Sequence, residues 1–215
     1  MGVREAVNAL LFDFDGTIVD TEQVWSQATR ACFAARGFDL DDGMLRRILV
    51  SPWSDVIPDL SQSDATAIEQ NIVDSVREAY LECPPVAGFT AFLEQFAGTP
   101  KAIVTSSYRE QLVAPYLRRH SLDHYFSVVV GSEDTERLKP SPEPVLLALR
   151  LLDVGRSGVW MIGDSPADIE AARSAGIRSV GLGDPAIGGD LVADSVQTLA
   201  TLLRATMTED EHRAQ

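Results

Sequence analysis

Five short apolar runs restrict this chain more than any other feature: Ala9 to Phe12, Ala102 to Val104, Val128 to Val130, Val159 to Ile162, and Ser179 to Leu182. They are brief and lack the polar alternation of a half-exposed strand. Strands of a parallel sheet covered on both faces read this way. Helical periodicity follows at Tyr108 to Arg119, Glu143 to Leu152, Pro166 to Ala175 and Val196 to Leu203. The alternation predicts an α/β fold: a doubly wound, mostly parallel, Rossmann-like sheet with helices on both faces.

One interval breaks the rhythm. The first two runs are separated by about ninety residues that carry helical patterns only, at Glu22 to Arg36, Asp41 to Leu49, Ser63 to Leu81 and Gly88 to Phe96. Gly, Pro and Asp in "GFDLDDG" and "SPWSDVIPDLSQSD" punctuate them. "ECPPVAG" reads as a return linker. The expected division is residues 1–18 with 87–215 as an α/β core domain, and residues 19–86 as an inserted small all-α domain. The polar tail "TMTEDEHRAQ" reads as frayed.

Charge narrows the partners. The 215 residues carry a formal net charge of −14, which argues against nucleic acid and anionic membrane, since both need clustered positive charge. It leaves room for a small anionic substrate, because a bound cation or one lysine reverses the sign locally. Cys32 and Cys83 lack metal or redox spacing and read as buried thiols. The first apolar run stops at Asp13, too early for a signal peptide or a membrane span, so a cytoplasmic protein is expected.

Ligands of an open α/β sheet sit beyond the carboxyl ends of its strands. The first run delivers Asp13, Asp15, Gly16 and Thr17 there, and the second delivers Thr105, Ser106 and Ser107. The loop after the third brings Lys139, and the fourth brings Gly163, Asp164, Ser165 and Asp168. Carboxylates gathered this closely repel one another unless a hard cation sits among them. Mg²⁺ is the expected cofactor, because it takes few carboxylates and leaves room for water and a phosphate.

In order and spacing, "DFDGT", "VTSS", "LKP" and "GDSPAD" resemble the four motifs of the haloacid dehalogenase superfamily, and the helical insert falls where that superfamily carries a helical cap. The resemblance implies that Asp13 is a nucleophile forming an aspartyl-phosphate. It implies that Asp15 protonates the leaving oxygen, then activates water, and that its backbone carbonyl ligates Mg²⁺. Thr105 would hydrogen-bond the phosphoryl group, assisted by N–H donors near Ser106 at the start of a helix. Lys139 would neutralise charge between phosphate and Asp13. Asp164 would complete the metal set of Asp13 and Asp15, with Asp168 beside it.

Structural roles compete at some of these positions. Ser107 can cap the helix that follows. "SPAD" is a capping box with Ser165 at N-cap and Asp168 at N3, so Asp168 can serve its helix. "GLGDPAIGGD" lacks a phosphate-loop pattern and reads as a plain loop. Trp25 and Trp53 read as packing residues, and Arg46 and Arg47 as a solvated face.

Three features select a branch. Asp15 favours phosphoryl transfer over dehalogenation, since halide departure needs no proton. Trp25 and Gly163 stand where similar sugar phosphomutases carry His and Glu. No lysine lies between Asp20 and Pro100, which disfavours Schiff-base phosphonate chemistry. The expectation is therefore a Mg²⁺-dependent phosphomonoester hydrolase for a small phosphorylated metabolite, sugar or polyol phosphates first. A β-phosphoglucomutase-like isomerase and a catalytically silent binding protein are the alternatives.

Overall fold

The computed structural model describes residues 7–50 and 61–208. Six parallel strands form one sheet: β1 (Ala9–Phe12), β2 (Lys101–Val104), β3 (Val128–Val130), β4 (Val159–Gly163), β5 (Arg178–Leu182) and β6 (Leu191–Ala193). Their order is β3-β2-β1-β4-β5-β6. The chain winds outward from β1 in one direction, then crosses to β4 and winds in the other. The strand order thus reverses between β1 and β4, where such a sheet opens a crevice at its carboxyl edge. Their register pairs Phe12 with Ile162, so the residues that follow each strand emerge side by side.

Side-chain alternation along β1 builds both layers. Ala9 and Leu11 point into a cluster with Val145, Ala148, Ala171 and Ala172, from α6 (Glu143–Leu152) and α7 (Pro166–Ala175). Phe12 faces the other way. It meets Phe89 and Phe92 of α4 (Phe89–Gln95) edge-on, with centroids 5.4 and 5.9 Å away. Each fully buried side chain of this size contributes roughly 1.5–3 kcal/mol. Lys101 is the polar exception in this core. Its ammonium donates to the carbonyls of Phe96 and Thr99, and burial lowers its pKa.

The segment after β2 opens with a π-helical stretch, Arg109–Val113, and continues as α5 (Ala114–Arg119). The last helix, α8 (Val196–Thr208), runs five residues past the expected Leu203. Residues 209–215 of the tail lie outside the described residues. The "GLGDPAIGGD" loop holds one 3₁₀ turn, Pro185–Ile187, and closes through Asp190, which accepts from the Ser179 amide at 2.8 Å.

By backbone proximity the chain divides into two compact units, Met1–Asp20 with Pro84–Gln215, and Thr21–Cys83. The second unit holds α1 (Glu22–Ala34), α2 (Asp42–Val50) and α3 (Gln62–Glu82). Helix α3 starts at Ser61, whose hydroxyl accepts the Asp64 amide at 3.1 Å. Trp25 packs edge-on against Tyr80 at 6.0 Å, as its packing role requires. Arg47 is exposed. Trp53 and the side chain of Arg46 lie outside the described residues. Cys83 is buried, Cys32 is half-buried, and neither is in a disulfide.

Candidate active site

The ladder continues one residue beyond β1. The Asp13 amide donates to the Ile162 carbonyl at 2.8 Å, which fixes the backbone at the sheet edge. The chain then turns tightly, with the Gly16 amide on the Val19 carbonyl at 2.8 Å. Gly16 has φ +78°, and a Cβ there would lie 2.0 Å from Asp164 Oδ2. Glycine is required at this point by conformation and by space together.

Lys139 reaches into the site with a side chain only 4% exposed. Its ammonium donates to Asp13 Oδ1 at 2.7 Å, to Asp168 Oδ1 at 2.6 Å and to the Val104 carbonyl at 2.9 Å. All three of its donors are thereby used. Asp13 Oδ1 also accepts the Phe14 amide at 2.7 Å. Asp168 is fully buried and spends its other oxygen on the helix cap, accepting the Ser165 amide at 3.1 Å and hydroxyl at 2.6 Å. The capping box read from "SPAD" is therefore present, and the same carboxylate also holds Lys139.

Asp13, Asp164 and Asp168 each offer an oxygen, all within 4.8 Å of one another. Burial pushes the Asp13 carboxyl well above its ordinary range, and repulsion from Asp168 and Asp164 adds to this against the pull of Lys139. Burial and then Asp168 raise Asp164 to about 6, against the Thr17 hydrogen bond. For Lys139, burial alone would lower the pKa, but Asp13 and Asp168 outweigh it and raise it. One ammonium does not balance three acids. The all-oxygen donor set and the raised pKa values of Asp13 and Asp164 fit a hard divalent cation. Asp168 is occupied by Lys139 and Ser165. Oδ2 of Asp13 and Oδ2 of Asp164 are the oxygens that Lys139, the Phe14 amide and the Thr17 hydroxyl leave, so these two acids are the ones best placed to hold such an ion.

Asp15 is half-buried, and its carboxylate is not one of that trio. Oδ2 accepts the Ser107 hydroxyl at 2.6 Å. Thr105 is buried and its Oγ1 accepts the Ser107 amide at 3.0 Å, whereas Ser106 is exposed. The first two amides of the helical segment, those of Arg109 and Glu110, are both taken by the Glu133 carboxylate at 3.0 Å. An internal anion thus sits where unpaired amides were expected.

Besides the contact of Ser107 with Asp15, those of Thr17 and Glu133 were not foreseen. Thr17, fully buried, donates to Asp164 Oδ1 at 3.0 Å. Its place in "DFDGT" was the available signal. Glu133 carried no signal, because it meets the helical segment across two loops of the sheet edge.

Residues 10–182 match the haloacid dehalogenase-like hydrolase family, and the chain belongs to it. A protein of Caldanaerobacter subterraneus subsp. tengcongensis with the provisional name pyrophosphatase PpaX is 37% identical over 81% of this chain and 80% of its own. The plasmid phosphoglycolate phosphatase of Cupriavidus necator is 32% identical over 91% of this chain and 92% of its own. Among solved structures, β-phosphoglucomutase of Clostridium difficile superposes with a TM-score of 0.83 at 20% identity, over 94% of this chain and 98% of its own. At that identity the likeness is one of fold. Among the described residues, no helix is long and apolar enough to cross a membrane.

Proposed function

We propose that this protein is a Mg²⁺-dependent phosphomonoester hydrolase acting on a small phosphorylated metabolite, with sugar and polyol phosphates favoured. The observation that carries the reading is the meeting of Asp13, Asp164 and Asp168, with Lys139 bound to Asp13 and Asp168, where the strand order reverses. The names of the relatives support the phosphate class, phosphoglycolate and pyrophosphate among them.

Asp13 is the nucleophile. Lys139 and the Phe14 amide hold one of its oxygens, which fixes the carboxylate for attack on phosphorus. The bond from Asp13 to phosphorus forms as the bond to the leaving oxygen breaks. Asp15 gives that oxygen its proton, then takes one from the water that releases phosphate, for ~10²–10⁴-fold in rate. Thr105 and the Ser106 amide bind the phosphoryl oxygens, and Lys139 neutralises charge beside Asp13. Mg²⁺, held by Asp13, Asp164 and the Asp15 carbonyl, would supply the remaining positive charge that a loose phosphoryl transition state needs. The helical insert, residues 19–86, is assigned the role of a cap that selects the substrate, in a cytoplasmic enzyme.

Phosphate release from a panel containing sugar phosphates, polyol phosphates, phosphoglycolate and pyrophosphate, with Mg²⁺ and with EDTA, tests the reading. Turnover that needs Mg²⁺ and vanishes in Asp13→Asn supports it. Turnover by Asp13→Asn at the wild-type rate refutes it.

A further inference from the structure

We propose that Glu133 is a positioning residue for the reaction: by gripping the start of the helical segment after β2 it fixes the turn 105–107 and, through Ser107, the carboxylate of Asp15. This inference rests on the reading of Asp15 as proton donor.

The contacts form an unbroken chain. Glu133 takes the first two amides of the helical segment, Arg109 on Oε2 and Glu110 on Oε1, both at 3.0 Å. Beside it, Asp134 takes the Arg109 guanidinium at 2.9 and 3.0 Å and the Gly131 amide at 2.8 Å. Between them, the Ser132 amide donates to the Ser107 carbonyl at 3.0 Å. Ser107 is thus held at its carbonyl by this loop, at its amide by Thr105, and it spends its hydroxyl on Asp15.

The two loops approach so closely that a Cβ at Gly131 would lie 2.6 Å from Glu133 Oε2 and 2.8 Å from the Arg109 amide nitrogen. Glu133 remains ionised: burial opposes the charge, but the amides it accepts from, its own, Arg109 and Glu110, hold its pKa below the ordinary range. A carboxylate on two otherwise unsatisfied helix-start amides is a strong local anchor. A proton donor acts only when held within hydrogen-bond reach of the leaving oxygen, so a loosened Ser107 costs rate through Asp15.

The test compares kcat/KM for 4-nitrophenyl phosphate, whose leaving group needs little protonation, with that for phenyl phosphate, whose leaving group needs it. Glu133→Ala is expected to cut the phenyl ester by about tenfold or more and the nitrophenyl ester by less than about threefold. Ser107→Ala should give the same split, and the double variant should lose little more than either alone. Glu133→Gln keeps one acceptor oxygen and should fall between wild type and Glu133→Ala. Amide exchange over residues 105–110, which needs no turnover, should quicken in Glu133→Ala while the thermal transition of the rest holds.

Equal losses on both esters, no loss, multiplying losses in the double variant, or unchanged exchange would each overturn the inference. Asp15→Asn serves as control. If it shows the leaving-group split and Glu133→Ala does not, only the role of Glu133 falls. If Asp15→Asn shows none, the reading of Asp15 falls with it.

Discussion

Asp13 carries two opposed demands. Its site raises the carboxyl pKa through burial and neighbouring acids, yet the proposed attack needs the carboxylate. Lys139 meets part of that demand and a divalent cation would meet the rest. Asp13→Asn should therefore reduce kcat to background without lowering the melting temperature in EDTA, because the amide removes a repelled charge and still accepts from Lys139. A variant that lost activity by unfolding would show a depressed melting curve instead. Thr17 presents a smaller version of the same logic. Its hydroxyl fixes Asp164, the proposed metal ligand, and groups that orient such a ligand are worth about 10–100-fold in metal affinity. Thr17→Val preserves the shape, so the Mg²⁺ concentration for half-maximal activity should rise about tenfold or more, with little change in kcat at saturation.

At the scale of elements, Asp168 joins helix α7 to the charged cluster. As a cap alone it would be worth about 1 kcal/mol. As the buried partner of Lys139 it is worth more, since breaking a buried pair costs about 3–5 kcal/mol. Repulsion from Asp13 and Asp164, whose oxygens lie within 4.8 Å, reduces that figure. Asp168→Ala should cost clearly more than a cap by urea titration, and Asp168→Asn, which keeps one acceptor oxygen but turns an NH2 toward the donors of the other, should cost less than Asp168→Ala. Equal costs for the two would reduce Asp168 to packing.

Elements of this kind were also the most legible part of the sequence. Strands β1 and β3 and helices α6 and α7 fall where the apolar runs and the Ser-Pro signal put them, because burial on both faces leaves an uninterrupted pattern. Strand β6 went unread: it has three residues at the sheet edge, with Val192 exposed, and no run to find. The π-helical opening at Arg109–Val113 merged into an ordinary helical period. The meeting of Asp13 with Lys139 and with Asp164 was readable because their motifs are local. The contacts of Ser107 and Glu133 were not, since they join residues brought together only by strand order.

The whole molecule feels the site through pH. Asp164 titrates near 6 in the native state against 3.8 ordinarily, and Asp13 is raised in the same direction. Between about pH 4 and 6 the native protein therefore keeps protons that the unfolded chain has released, so this contribution to stability falls as pH rises through that window. A divalent cation held by these acids would substitute for those protons and would bind only the folded site. Glu133, Glu143, Glu170 and Asp194 have lowered pKa values and act with the opposite sign, their stabilisation being lost as pH falls. None of them belongs to the acidic trio, so they cancel when the same sample is melted with Mg²⁺ and with EDTA. The difference in melting temperature between the two should be small near about pH 5 and grow toward about pH 7. In Asp164→Asn it should shrink at every pH. A difference that stays flat across the range would mean that the ion does not bind where these acids meet, and the proposed chemistry would lose its cation.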